Sequence, residues 1–210
     1  YLGGVWVAIA LGMPAGVSAL LVGAQPLLTA LLAFTVNERA SRVQWIGLTI
    51  GFAGVALVLS DRLTLAGVEP LALAVNLLAL AGITAGTLYQ KKHAANVDLR
   101  TGSLIQFAAS FVLLLPFAIA TETMVVDYTL EFWLALGWSI VALSLVAITL
   151  LLVMIRRGRA TEVTSLMYLT PPSTAVLAWL MFGEMLGPLA WAGVLVTMAG
   201  VALVLTAGKR

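Results

Sequence analysis

The polar side chains inside the long apolar runs of this chain gather next to prolines. Gln25 precedes Pro26, and Tyr168 and Thr170 precede the proline pair that ends in Pro172. A proline inside a helix removes an N–H donor and frees a carbonyl, which lipid tolerates only where neighbours or a cavity satisfy that carbonyl. Because amide and hydroxyl groups beside such a break can hydrogen-bond a solute, these five residues are predicted to line a binding site. A kink needed only for packing is the alternative.

A second set of candidates consists of isolated polar or aromatic residues in other apolar runs, namely Asn76, Tyr89 and Trp138. Such groups either contact a solute or hydrogen-bond a neighbouring helix. The interiors of the runs hold no Asp, Glu, Lys or Arg, and buried carboxylates are the usual mark of proton relays. Proton coupling through these runs is therefore disfavoured. The solute is expected to be uncharged, zwitterionic or amphipathic.

Enzymatic chemistry would need a nucleophile, an acid–base pair or a metal cluster. The runs contain no His, Cys, Asp or Glu, so such groups would have to come from the loops. We therefore expect a protein that is not an enzyme, with no catalytic residue, cofactor or metal. A membrane-embedded hydrolase or lipid transferase is the less favoured alternative.

The composition indicates what surrounds these residues. The chain has 210 residues, of which 62% are hydrophobic and 10% charged, and its mean hydropathy is +1.09. Soluble domains are about half apolar and about a quarter charged. A spanning helix needs about 20 mostly apolar residues, and the runs of about that length are Val17–Val36, Val43–Ser60, Pro70–Gln90, Ser103–Ala120, Phe132–Ile155, Val163–Phe182 and Pro188–Thr206. The prediction is an all-α integral membrane protein with seven spans and a partial one at residues 1–12.

The basic residues predict the orientation of the spans. Ten of the eleven Lys and Arg residues fall on one side if all seven spans exist, and only Arg62 falls on the other. Short loops rich in Lys and Arg are cytoplasmic, which places the C-terminus in the cytoplasm. Because these charges lie in loops between apolar runs, the expected partners are lipid and a small solute rather than nucleic acid, despite the net charge of +2.

Two stretches of the chain are copies of one another. Residues 17–59 align without a gap on residues 163–205, so that Glu38 falls on Glu184 at an offset of 146 residues. Ala53–Leu59 is identical to Ala199–Leu205. Glu38 follows one span on the basic side, whereas Glu184 lies on the opposite side, so the copies have opposite orientations. Inverted repeats are a transporter architecture with the substrate site near the midplane.

Paired motifs carry a family resemblance: Asn37-Glu38-Arg39, Trp45-Ile46-Gly47 and Gly54-Val-Ala-Leu-Val, with their second copies Phe182-Gly183-Glu184, Trp191-Ala192-Gly193 and Gly200-Val-Ala-Leu-Val. This pattern resembles the EamA-type domain of the drug/metabolite transporter superfamily. The resemblance implies an inverted repeat of five-helix halves, from a ten-helix ancestor, that moves small solutes across a bacterial inner membrane and favours export. Residues 1–60 would be the later part of the first repeat, and residues 70–207 the second.

The offset predicts that about 75 residues of the ten-helix pattern, holding its first two to three helices, would precede Tyr1. A truncated helper that does not transport, or an inactive remnant, is therefore the alternative to a secondary transporter working by alternating access.

Two further features have structural interpretations. Gly47, Gly51 and Gly54 form one helix face that recurs with Gly193 and Gly200. Small residues let helix backbones approach closely, so these helices are expected to pack on each other or to form a homodimer. Glu38 and Glu184 precede helices whose N-terminal N–H groups a carboxylate would satisfy; the alternative is a proton or substrate site.

Overall fold

The computed structural model describes residues 1–62, 68–94, 97–121, 125–182 and 186–208, and within these ranges it is helical with no strand. We number the α-helices α1 Leu2–Ala10, α2 Ala15–Val22, α3 Gln25–Leu32, α4 Arg42–Val58, α5 Pro70–His93, α6 Leu99–Thr121, α7 Leu130–Trp138, α8 Ile148–Arg157, α9 Ala160–Ser165, α10 Thr170–Phe182 and α11 Pro188–Ala207. Short 3₁₀ turns join several of them, and a π-helical stretch, Ser139–Ala147, links α7 to α8. The predicted all-α fold class is confirmed.

Five helical segments of the described chain are long and apolar enough to cross a membrane: Ala15–Val36, Pro70–His93, Leu99–Ala120, Leu130–Arg157 and Pro188–Ala207. The other two predicted spans differ from expectation. Arg42–Val58 is apolar but only 17 residues long. The helical path from Ala160 is interrupted by a 3₁₀ turn at Leu166–Leu169 before α10 begins.

Prolines mark the interruptions within two of the predicted spans. The chain leaves α2 at Gly23 and resumes helix at Gln25, with Pro26 in the first turn of α3. In the second copy, α10 begins at Thr170 and has both prolines in its first turn. Proline fits the start of a helix because the N–H that it lacks has no intrahelical partner there. The predicted helix breaks are confirmed.

The chain divides into two compact units, residues 1–92 with 158–210, and residues 93–157. The second unit contains α6 to α8. Its first helix is capped by Asp98, whose Oδ1 accepts hydrogen bonds from the N–H groups of Arg100 and Thr101 at 3.0 and 3.1 Å. The bond from Thr101 is the main reason that the pKa of the Asp98 carboxyl is lowered.

The first unit is built on the contact between α4 and α11. A Cβ added at Gly47 would lie 2.8 Å from the carbonyl oxygen of Gly200, and one added at Gly193 would lie 2.7 Å from the carbonyl oxygen of Gly54. Since Gly47 meets Gly200 while Gly54 meets Gly193, the helices run antiparallel. The predicted packing of the two glycine faces on each other is confirmed within one chain. A homodimer stays a prediction, and this contact does not require one.

The contact between α4 and α11 is also reciprocal. At the offset of the repeat, Gly47 corresponds to Gly193 and Gly54 to Gly200. Each copy therefore presents the same pair of positions to the other, as two subunits do across a twofold axis. Antiparallel contact between equivalent faces is what copies of opposite orientation would produce.

Two apolar clusters complete the first unit. One joins α3, α4, the 3₁₀ turn after α9, and α11, around Ala30, Leu48, Tyr168 and Val201. The other packs Ala8, Met13 and Val17 against Ala72 of α5. The core thus brings the broken helix α2–α3 against α5 on one side and α9 on the other.

A buried polar seam and its charged end

Polar side chains of α3, α5 and α9 are buried inside the first unit. Gln25 is 4% exposed, and its Nε2 donates to Thr87 Oγ1 at 3.3 Å. Thr29 lies one turn further along α3, and α3 packs against α9, which carries Thr161. Tyr168 follows in the next turn of the chain. We refer to Gln25, Thr29, Thr87, Thr161 and Tyr168 as the polar seam.

Three hydroxyls of the seam have no hydrogen-bond partner in the structure, although their atoms are buried: those of Thr29, Thr161 and Tyr168. The three side chains are at most 1% exposed. Buried polar groups are nearly always hydrogen-bonded, so each exception calls for an explanation such as an ordered water or a ligand. These hydroxyls can donate and accept hydrogen bonds, so they can bind and orient a polar group.

Gly51 of α4 leaves the space that the Tyr168 ring occupies in the seam. A Cβ added at Gly51 would lie 2.7 Å from Cδ2 of the Tyr168 ring. The Phe52 ring also packs near the Tyr168 ring, with 6.4 Å between the two ring centroids. Gly51 therefore has a second role besides helix packing, which is to leave room for the phenol ring against α4.

The polar side of α5 runs along the seam. Asn76, Thr84, Thr87 and Lys91 fall within about 80° of one another around the helix axis. Asn76 is fully buried, and its Nδ2 donates to Ser18 Oγ at 2.6 Å and to Met13 Sδ at 2.8 Å. Asn76 is thus engaged with α2, which agrees with the interhelical alternative given for it.

The remaining sequence candidates are placed differently. Pro26 and Pro172 are buried in the first turns of their helices, whereas Thr170 is exposed. Tyr89 is 66% exposed and Trp138, which belongs to the second unit, 68% exposed. The structure brings Gln25 and Tyr168 to the seam but does not gather Thr170, Tyr89 and Trp138 there. A binding role stays a prediction for all of these residues.

A charged cluster lies next to the seam, at the end nearer the basic loops. Glu38 Oε1 lies 3.6 Å from Lys91 Nζ, and Glu38 Oε2 accepts a hydrogen bond from the N–H of Ala160 at 2.8 Å. Arg159 Nε lies 3.9 Å from Glu162 Oε1, and Arg159 Nη2 donates to the carbonyl of Arg39 at 2.6 Å. We refer to Glu38, Lys91, Arg159 and Glu162 as the end cluster.

The end cluster corrects one expectation. Glu38 satisfies an N–H group as predicted, but the N–H belongs to α9, which is distant in sequence, and not to the helix that follows Glu38. That helix, α4, has its own capping box, in which Ser41 Oγ accepts from the Gln44 N–H and Gln44 Oε1 accepts from the Ser41 N–H. The second copy of this residue, Glu184, lies outside the described residues.

Sequence reasoning missed Thr29, Thr161 and the partners of Glu38. A threonine in a transmembrane helix carries little signal, because its hydroxyl can bond its own helix, as that of Thr164 does to the carbonyl of Ala160. One available signal was the concentration of opposite charges, Glu38 and Arg159, in two loops assigned to the same side of the membrane.

A groove of about 410 Å³ lies between the start of α4 and the end of α11. It is lined by Ser41, Val43, Leu203, Thr206 and Ala207. The Ser41 hydroxyl is used in the capping box, and that of Thr206 donates to the carbonyl of Ala202. Its lining therefore offers few free polar groups, and the seam is the better candidate for solute recognition.

Comparisons with known proteins agree with this architecture. One solved crystal structure, described only as that of a protein, matches with a TM-score of 0.80 over 99% of this chain and 72% of that chain, at 19% identity. That likeness concerns the fold alone. The chain is also 28% identical over 197 residues to the "Uncharacterized inner membrane transporter YedA" of Escherichia coli strain K12. The proteins of the same description from E. coli O6:H1 and O157:H7 match to the same extent.

The alignment with these relatives covers 94% of this chain and 63% of the length of each relative. The profile of the EamA-like transporter family matches residues 71–206, which is more than half of the chain. This chain contains the two matching glycine faces, the helices that have prolines in their first turns and the uncharged polar seam. It belongs to the EamA-like transporter family.

Proposed function

We propose that this protein is a secondary transporter that exports small uncharged or amphipathic metabolites or drugs by alternating access, and that the polar seam is part of the solute path. The observation that carries the proposal is the set of buried hydroxyls without partners, on Thr29, Thr161 and Tyr168. Family membership supports transport in general, and the direction of export rests on the resemblance alone.

The chemistry of the seam supports an uncharged solute. Its side chains are amides and hydroxyls, which pair with neutral donors and acceptors. A charged solute in a buried site would need an opposite charge beside it. The charges of the end cluster lie outside the seam and are engaged with one another. In this account the protein acts without a catalytic group and without a cofactor.

The burial of the seam supports alternating access. Its five side chains are buried or half-buried, so a solute reaches them only when one end of the unit opens. Transporters built from inverted repeats expose a central site to each side in turn. The site is proposed to lie in the bacterial inner membrane, with the end cluster and the C-terminus on the cytoplasmic side, since the basic loops are there.

The test is transport by membrane vesicles that contain the protein or its hydroxyl-deletion variants, measured with a panel of uncharged and zwitterionic solutes. Tyr168→Phe and Thr29→Val remove one hydroxyl each while keeping the shape of the side chain. Each is expected to lower transport of a recognised solute by about 2- to 10-fold, which corresponds to one hydrogen bond of about 0.5–1.5 kcal/mol.

The matched control is Thr49→Val, because the Thr49 side chain is exposed and its hydroxyl bonds the carbonyl of Trp45 within α4. Normal transport in both seam variants would remove the seam from the solute path. Vesicles that carry the protein and move no solute of the panel would favour the helper interpretation.

A further inference from the structure

The end cluster joins three parts of the first unit that are distant in sequence. Glu38 lies in the turn after α3, Lys91 lies in the last turn of α5, and Ala160 begins α9. Lys91 Nζ donates to the carbonyl of Gly158 as well as pairing with Glu38. One carboxylate and one ammonium group thus bind α9, α5 and the turn after α3 to one another.

The turn after α3 is shaped to present this carboxylate. Asn37 has φ of 59°, in the left-handed region that Asn tolerates better than most residues. The Glu38 N–H donates to the carbonyl of Ala33 at 3.0 Å, which fixes the backbone just before the chain turns away. Because α4 is capped by Ser41 and Gln44, the Glu38 side chain has no local role and can reach across to α9.

The contacts of the end cluster are ones that can break and re-form. The Glu38 and Lys91 side chains are 14% and 19% exposed, and those of Glu162 and Arg159 are 21% and 36% exposed. Partly exposed ion pairs are weak, because water solvates the separated charges. The cluster has two acidic and two basic members, so its net charge is zero.

The position of the end cluster relates it to the seam. Thr161 directly follows Ala160, and Lys91 lies one turn beyond Thr87 on the same side of α5. The contacts of Glu38 therefore join the same elements that enclose the seam, at the end nearer the basic loops. Separating α9 from the turn after α3 at this point would expose Thr161 and Thr29 from that end.

We propose that the end cluster is a reversible latch that closes the seam on the side of the basic loops. In this account Glu38 must release both the Ala160 N–H and Lys91 before the seam opens to that side. The inference rests on the proposed function, because a latch implies an open state, but its test does not require transport.

The test uses the fact that the chain contains no cysteine. Thr29→Cys places a reporter in the seam and is a mild change, because the Thr29 hydroxyl has no partner. A second variant, Lys92→Cys, has its cysteine at an exposed position at the end of α5, close to the end cluster. Modification of this cysteine shows in which vesicle orientation the end cluster faces the reagent. The measurement is the rate of modification by a maleimide that cannot cross the membrane.

Glu38→Ala removes both contacts of the carboxylate, and Glu38→Gln keeps an acceptor for Ala160 while losing the ion pair. The modification rate of the Thr29→Cys reporter is expected to rise about tenfold with Glu38→Ala, equivalent to about 1.4 kcal/mol in the opening equilibrium, and by less with Glu38→Gln. Lys91→Met should raise the rate as well, which keeps the test valid if Glu38→Ala does not fold.

The control is Glu131→Gln, an exposed acidic residue of the second unit, which should leave the rate unchanged. A lower melting temperature with no rise in modification in Glu38→Ala, Glu38→Gln and Lys91→Met would mean that the cluster is a static support, and would overturn the latch. A rise in modification without transport of any solute would support the latch while refuting the proposed function.

Discussion

Two buried polar residues of the first unit use their hydrogen-bonding groups in opposite ways. Asn76 Nδ2 donates to Ser18 and Met13, although its Oδ1 has no partner, whereas the one polar atom of the Tyr168 side chain is buried without a partner. Removing one member of a buried hydrogen bond leaves the other unsatisfied, but removing a group that has no bond costs nothing of that kind. Asn76 therefore has hydrogen bonds to lose, whereas the Tyr168 hydroxyl has none.

At the residue scale, Tyr168→Phe is expected to leave the thermal stability of the protein unchanged or slightly higher. Asn76→Leu is expected to lower the free energy of unfolding by about 1–3 kcal/mol, because the Ser18 hydroxyl loses its partner. The measurement is thermal unfolding of both variants in detergent. A marked loss of stability in Tyr168→Phe would mean that its hydroxyl has a structural partner after all.

Some residues of the seam could be predicted from the sequence and others could not. Gln25 and Tyr168 were predictable because prolines mark the broken helices beside them. Thr29 and Thr161 were not, because a threonine on a lipid-facing side and one in a seam have the same local sequence. The difference between them is a tertiary contact, the packing of α3 on α9, which no spacing within either helix encodes.

The pairing of α4 with α11 illustrates how much packing at the element scale can be predicted. Glycines at spacings of four and three define a face that permits close approach, and the same face in the second copy supplies its partner. The breaks at Pro26 and before α10 were equally predictable. The contact from Glu38 to α9 was not, since it depends on the direction in which Asn37 turns the chain.

At the element scale, Gly193→Ala is expected to destabilise the protein by about 1–3 kcal/mol, because overpacking forces the helices apart. Its added Cβ would lie 2.6 Å from the backbone nitrogen of Val58. The measurement is the yield and melting temperature of purified protein.

Gly82→Ala is the matched control, since a Cβ there meets nothing within 4 Å and alanine favours a helix. Equal stability of the Gly193→Ala and Gly82→Ala proteins would contradict the close approach of α4 and α11.

For the whole molecule, the distribution of charge predicts the orientation in the membrane. The basic residues after α3, after α5 and before α9 would lie together in the cytoplasm, while Asp61 after α4 would lie outside. The division into repeats at residues 1–60 and 70–207, like the homodimer, stays a prediction.

At this scale, Lys92→Cys is expected to react with an impermeant maleimide only from the cytoplasmic side, and Asp61→Cys only from the opposite side. Both positions are exposed in the structure. Intact cells and inverted vesicles provide the two sides, and the cysteine-free parent protein is the blank. Reaction of both cysteines from one side would refute the crossing of the membrane by α5.

The reciprocal contact between α4 and α11 has a consequence for the origin of the chain. Gly47 meets the counterpart of Gly54, and Gly54 meets the counterpart of Gly47, so the interface uses one pattern twice. A single ancestral half, inserted into the membrane in both directions, would carry the same pattern on both of its copies. Two such separate halves could associate through this face before any gene fusion, and fusion would then preserve a pairing that already existed.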